Sequence, residues 1–254
     1  MKTALISGGA GGLGKALIRQ LQQANWRVIA LDLDISSLHE SDTLWPIACD
    51  LTDPDELQKT ANRILGKYQS LDLIIYNAGV TQIMAFDQST EDSHKAVFDV
   101  NYFAAVSMVR HFLEAVRIAK GTHLVISSVA GFTPLYHRTA YAASKHALEG
   151  FFKSLRSEER ENGSSILIAA PSFIATNIGQ PETTQEGIAR PGSATDGKDY
   201  MDPDTAAHAI LKGFAKKQPM ILVGRVAKFA WWINRLSPRL FQRIMERQIA
   251  GTQE

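Results

Sequence analysis

The chain has 254 residues, 45% hydrophobic and 21% charged, the proportions of one large α/β domain with a substantial core. A net charge of +1 gives no general pull toward nucleic acid, and a single cysteine, Cys49, excludes an internal disulfide framework and points to a reducing, cytoplasmic setting. The opening apolar run, Ala4-Leu5-Ile6, stops at a glycine cluster and is too short for a signal peptide, and no run reaches the ~18 residues that span a bilayer.

Thr3 to Ser7 reads as a buried strand, followed by Gly8-Gly9-Ala10-Gly11-Gly12-Leu13-Gly14 and the helical pattern Ala16, Leu17, Leu21. A strand, a glycine turn and a helix start build a phosphate site, because glycines admit the backbone close to a pyrophosphate and the helix start offers free N–H groups. Three glycine registers fit: Gly9-Gly11-Gly14, Gly8-Gly11-Gly14 and Gly8-Gly12-Gly14. The motif therefore says dinucleotide without saying which family. Arg27 to Leu31 is a second strand, closed by Asp32, an acid placed to bind the adenosine ribose.

Trp45 to Cys49 is a third strand, ending in Asp50-Leu51, and Thr52-Asp53-Pro54-Asp55-Glu56 starts a helix. Leu71 to Tyr76 is a fourth strand running into Asn77-Ala78-Gly79. One long helical stretch is expected from about Asp92 to Ala119, with Asn101 inside it calling for a partner. His123 to Ser127 is a fifth strand, leading to Ser128; Tyr141 opens the next helix, which ends near Asn162-Gly163; Ile166 to Ala170 is a sixth strand, then Pro171. This alternation is that of a doubly wound parallel (Rossmann) sheet with helices on both faces. The glycine turn, Asp32, Asn77, Ser128 and Pro171 all follow strands and so share the carboxyl edge, where such sheets bind ligands.

Tyr141 and Lys145 are four residues apart, neighbours on one helix face. Opposite charges ~4 Å apart at an effective dielectric of ~20 interact by roughly 4 kcal/mol. That equals about three pKa units, so Lys145 is expected to lower Tyr141 into the range of a working acid/base. Ser128 stands thirteen positions before Tyr141, available to hold a substrate oxygen.

Taken together, residues 3 to 224 resemble the classical short-chain dehydrogenase/reductase family, through Ser7-Gly8-x-x-x-Gly12-x-Gly14, Asp50, Asn77-Ala78-Gly79, Asn101, Ser128, Tyr141-x-x-x-Lys145, and Pro171 with Thr176. The resemblance selects the register Gly8, Gly12 and Gly14. It implies Tyr141 as acid/base, Lys145 as its partner and nicotinamide-ribose ligand, Ser128 as substrate orienter and Asn101 as holder of a relay water. The implied NAD contacts are Ser7, Gly8, Gly12, Leu13, Gly14, Asp32, Asp50, Leu51, Asn77, Ala78, Gly79, Tyr141, Lys145, Pro171, Ile174 and Thr176, with no metal. Two positions depart from the pattern: Tyr76 where many members have asparagine, and Ser172 where glycine is usual.

The function this implies is NAD(H)-dependent interconversion of a secondary alcohol and a ketone; the alternative is a non-catalytic NAD-binding regulator on the same fold. Asp32 favours NAD, because the 2′-phosphate of NADP would meet a like charge; Leu33 offers no cation to offset it, and Lys15 comes only after the last glycine of the turn. Residues 173 to 204, rich in glycine and proline, read as a substrate lid. Val80, Met84, Phe132, Leu135, Tyr136 and Phe173 are candidates to line a lipophilic pocket, and His137 reads as a surface histidine. After a seventh strand, Met220 to Val223, residues 225–254 form an extension with two helices, Val226 to Leu236 and Arg239 to Ile249. Lys228, Arg235, Arg239, Arg243 and Arg247 make it basic, and Trp231-Trp232 add interfacial aromatics, so it either meets a membrane surface peripherally, caps an apolar pocket or packs on the core or a second subunit. The expected partners are a small alcohol or ketone and further copies of the chain in a dimer or tetramer, with no nucleic acid.

Overall fold

A computed structural model describes residues 1–176, 186–189 and 200–250. Strands β1 (Lys2–Ser7), β2 (Trp26–Asp32), β3 (Leu44–Ala48) and β4 (Leu73–Tyr76) are joined through helices α1 (Gly12–Gln23) and α2 (Pro54–Lys67). There follow β5 (Thr81–Gln82), α3 (Glu91–Phe98), α4 (Ala104–Ala119), β6 (Thr122–Ile126), α5 (Thr139–Glu158) and β7 (Ser165–Pro171). The chain continues through β8 (Ile188–Ala189), α6 (Pro203–Ala215), β9 (Met220–Val223), α7 (Arg225–Leu236) and α8 (Pro238–Ala250). Seven strands form one parallel sheet in the order β3-β2-β1-β4-β6-β7-β9.

Continuous apolar runs such as Ala4-Leu5-Ile6 form strands buried on both faces, as a sheet covered by helices requires. One face packs Leu5, Ile29 and Ile74 with Leu57 and Ile64 of α2, Phe112 of α4 and Phe152 of α5. The opposite face packs Ala4, Ile6 and Val28 with Leu17 and Leu21 of α1 and Ile210 of α6. Connections from β1 run outward to β2 and β3, and the chain then crosses to β4 on the other side. The crevice at this reversal is where a doubly wound sheet binds its ligand.

The helix expected over Asp92 to Ala119 is interrupted. A π-turn at Asp99–Phe103 separates α3 from α4 and carries Asn101 inward. Such a turn inserts a residue into the helical ladder, a distortion common at functional sites. The fourth strand begins at Leu73 rather than Leu71, and α5 runs from Thr139 to Glu158, short of Asn162. A small antiparallel pair, β5 with β8, lies outside the main sheet and was not legible in the sequence. Of the lid reading at 173–204, Gly179, Pro181, Pro191, Gly192 and Gly197 lie outside the described residues.

Candidate active site

The glycine turn is shaped by steric need. Gly8 adopts φ +66°, a conformation side chains disfavour, and a Cβ there would stand 2.9 Å from Ala78 Cα. A Cβ on Gly14 would collide with the Gly8 carbonyl oxygen and lie 2.8 Å from that of Gly9, so this glycine lets α1 close on the turn. Gly12 abuts Thr176, with a Cβ-to-Thr176 oxygen distance of 3.0 Å. No side chain caps α1, which leaves its first N–H groups, including that of Leu13, to an anionic ligand. The Leu13 side chain itself is buried in the core. This bare cradle fits the pyrophosphate of a dinucleotide.

The ends of the strands are laced together around it. Ser7 Oγ accepts from the Asn77 and Ala78 N–H groups, both at 3.1 Å, and Asn77 Nδ2 donates to the Gly8 carbonyl at 2.8 Å. Ser7 thus joins β1 to the turn after β4. Asp32 Oδ2 accepts from Ala10 N at 2.9 Å, which pins the end of β2 to the glycine turn. Asp50 Oδ1 accepts from Thr52 N and Thr52 Oγ1 at 2.8 and 2.7 Å. Leu51, Ala78 and Asn101 line a small cavity beside these groups.

On the other side of the crevice, Ser128 follows β6 and caps a short turn, its Oγ accepting from Ala130 N at 3.2 Å. The Ser128 hydroxyl lies beside the Tyr141 phenol, close enough to lower its pKa. Lys145 lies one turn along α5, with Nζ 5.8 Å from the Tyr141 ring centroid and donating to the Ile126 carbonyl at 3.0 Å. Gly79 sits over this pair, where a Cβ would lie 3.5 Å from Lys145 Nζ and 3.1 Å from Asn101 Oδ1. Sequence spacing thus brings Ser128, Tyr141, Lys145 and Asn101 into one place.

The electrostatics differ from the spacing argument. Burial raises the Tyr141 pKa; the Ser128 hydroxyl and the Arg138 charge oppose it, and Lys145 is not what lowers it. Lys145 is itself buried, and desolvation lowers its pKa to about 8 while Glu149 pulls it back up. Two buried groups are each penalised in their charged form, so burial, not mutual attraction, sets both directions here.

Asn101 is held by protein partners. Its Oδ1 accepts from Val80 N at 2.8 Å, and its Nδ2 donates to Val80 O and Ser144 Oγ, each at 2.9 Å. The side chain is occupied in fixing the π-turn to α5, because Ser144 Oγ in turn donates to the Tyr141 carbonyl at 2.8 Å.

Two polar residues escaped the sequence reading. Ser144 stands inside the quoted Tyr141–Lys145 stretch. Glu149 is buried, accepting from Ser127 Oγ at 2.8 Å through Oε1 and from Lys153 Nζ at 2.6 Å through Oε2. The one available signal was its place four residues after Lys145, on the same helix face.

Both departures from the family pattern are accommodated. Tyr76 points into the core, its Oη 2.7 Å from His123 Nδ1. Ser172 faces Gly224, whose φ of +96° and missing side chain make room; a Cβ there would lie 2.5 Å from Ser172 Oγ. Pro171 ends β7 and Ile174 bridges to Met201. Around the crevice, Phe132 packs on Trp231, Phe173 on Tyr200 and Tyr136 on His137. His137 is half-buried with φ +53°, and its carbonyl accepts from Met84 N.

The sequence profile described as short chain dehydrogenase matches residues 2–187. Dehydrogenase/reductase SDR family member 7B of Rattus norvegicus is 30% identical over 265 residues, covering 95% of this chain and 79% of that protein. A short-chain dehydrogenase from Streptomyces avermitilis superposes with a TM-score of 0.81 at 26% identity, over 99% of this chain and 100% of that one. A 4-hydroxyisoleucine dehydrogenase solved with NADH gives 0.64 at 29% identity, over 68% and 76%. With the profile spanning most of the chain and the glycine cradle facing Ser128 and Tyr141 across the crevice, this chain belongs to the short-chain dehydrogenase family of oxidoreductases.

Proposed function

We propose that this chain interconverts a secondary alcohol and a ketone with NAD(H). The observation that carries the reading is the gathering of Ser128, a buried Tyr141 and Lys145 at the crevice beside the glycine cradle. A bound nicotinamide supplies the hydride acceptor or donor. In the reductive direction the carbonyl carbon gains a hydride as the Tyr141 phenol, kept protonated by burial, gives its proton to the carbonyl oxygen; alcohol oxidation reverses both transfers and starts from the Tyr141 phenolate. Ser128 orients the substrate oxygen, Lys145 charges the floor beneath it, and Asn101 positions α5. Asp32 is read as the ribose ligand.

Phenylalanine at position 141 removes the proton carrier and keeps the ring packing. The expected outcome for Tyr141→Phe is a kcat at least ~10²-fold lower in a cofactor reduction assay across a panel of alcohols and ketones. Wild-type turnover by that variant removes the assignment. Cofactor binding without turnover by the wild-type chain, on a broad panel, favours the regulator reading instead.

The chemistry is assigned to residues 1–224, with 225–254 an extension on the same domain. A homo-oligomer belongs to the same reading and rests on the family to which the chain belongs. Sedimentation velocity tests it.

A further inference from the structure

Helix α7 is apolar on two opposite faces. Ala227 and Ala230 are buried against the body of the protein. Phe229, Trp232 and Leu236 point away from it, 62%, 61% and 79% exposed, and Leu240 at the start of α8 adds another 50%. At about 100° per residue these three α7 side chains fall within an arc of roughly 60°. A surface helix ordinarily turns charge outward, so this outward face calls for a partner.

Charge identifies the partner. Residues 225–254 hold six basic side chains against two acidic ones, a net +4, whereas residues 1–224 hold 21 against 24, a net −3. Exposed Lys228 and Arg235 lie along one edge of the apolar arc, and exposed Arg239 follows at the start of α8. Apolar side chains with a basic border fit an anionic lipid surface, where rings and leucines enter the acyl boundary and cations stay among the headgroups. A second copy fits less well, because a two-fold contact lays the patch on itself and sets like charges close together. Among the described residues no helix is long and apolar enough to cross a membrane, so the contact lies in the plane of the surface.

We propose that the outward face of α7, with the start of α8, is a docking surface for anionic membrane. The same helix touches the active-site turn from its other side. Trp231 packs edge-on against Phe132 at 4.9 Å, and Asn234 Nδ2 donates to the Phe132 carbonyl at 2.6 Å, four residues after Ser128. Docking therefore sets the crevice beside the lipid surface, where a lipophilic substrate is concentrated.

Co-sedimentation of the full chain with phosphatidylcholine vesicles, with and without one-fifth phosphatidylserine, tests the proposal at low and high salt. Binding is expected to the anionic vesicles, on the order of tenfold or more above the neutral ones, and to weaken with salt. Brominated lipid is expected to quench tryptophan fluorescence less in Trp232→Phe than in the wild-type chain. The pair Lys228→Glu with Arg239→Glu touches no core residue and is expected to abolish the anionic preference. The triple change Phe229→Ser, Trp232→Ser and Leu236→Ser is expected to abolish binding with the melting curve retained. Absence of binding to both vesicles overturns the proposal, as does binding that survives both variants. A dimer of the wild-type chain that the triple change splits into monomers assigns the face to a second copy and overturns it too. Every readout is a binding or size measurement, so the outcome is independent of whether the alcohol–ketone reading holds.

Discussion

Asp32 shows how one carboxylate serves two ends. Its Oδ2 is committed to Ala10 N, which holds the glycine turn against β2. Among the described residues Oδ1 has no hydrogen bond and is left for a ribose hydroxyl. A 2′-phosphate at ~4–5 Å would be repelled by roughly 3–4 kcal/mol per unit charge at an effective dielectric of ~20. Screening halves that, and even 1.4 kcal/mol is about tenfold in affinity. Solved proteins of this fold carry either cofactor: 4-hydroxyisoleucine dehydrogenase was solved with NADH and a Burkholderia cenocepacia dehydrogenase with NADP. The prediction for this chain thus rests on its own residues. Its kcat/KM is expected to favour NAD over NADP by about tenfold or more. Asp32→Ala is expected to raise KM for NAD and shrink that ratio. An unchanged ratio in the variant would show that another group reads the ribose.

At the scale of elements, the site depends on how α5 is fastened to the turn after β6. Glu149 is the fastener. It binds Ser127 on that turn and Lys153 on its own helix, and it fills the space beside Gly131 where no side chain fits. It also faces Lys145 electrostatically, holding that pKa up against burial. Glu149→Gln keeps a hydrogen-bonding group and removes the charge. We expect two effects: a loss of about 1–3 kcal/mol in urea unfolding, from weakened buried hydrogen bonds, and movement of the Lys145 limb of the kcat pH profile to lower pH, away from about 8. The second effect separates positioning of Lys145 from stability alone. A limb that stays in place after the charge is gone would leave Glu149 as structural only.

For the whole molecule, the acid side of stability turns on His123 in β6. It is fully buried, stacked on Tyr76 and bonded to its hydroxyl, and its Nε2 has no hydrogen-bond partner. Desolvation lowers its pKa from 6.5 to about 4. Below pH 6.5 the unfolded chain binds a proton that the folded chain refuses, so stability rises with pH across this window and falls on acidification. Between pH 7 and pH 5 the loss is about 2 kcal/mol from this group. Glu159, whose pKa is lowered by its hydrogen bond with Arg117, loses its contribution only as pH falls below the ordinary carboxylate range, outside that interval. His123→Asn is expected to lower stability at pH 7 yet flatten the pH 7-to-5 difference by about that 2 kcal/mol. Urea unfolding at the two pH values measures it; an undiminished slope would place the acid sensitivity elsewhere.

Local chemistry made much of this protein legible in advance. Strands such as Ala4-Leu5-Ile6, the glycine turn, the helix start within Thr52-Asp53-Pro54-Asp55-Glu56 and the Tyr141–Lys145 spacing are short-range patterns, and each stands where its residues imply. The alternation of strands and helices likewise implied the doubly wound sheet and gathered the polar residues on one edge. What the sequence could not carry were effects of long-range packing. The break at Asp99–Phe103 exists because Asn101 reaches Val80 and Ser144, and no periodicity records that bond. Glu149 looked like one more helix glutamate until the turn after β6 closed over it. The direction of the Tyr141 pKa reversed because desolvation is a property of the folded interior, summed over residues far apart in the chain. Spacing decided which groups meet; only the tertiary structure decided how far water is kept from them, and that sets their charge.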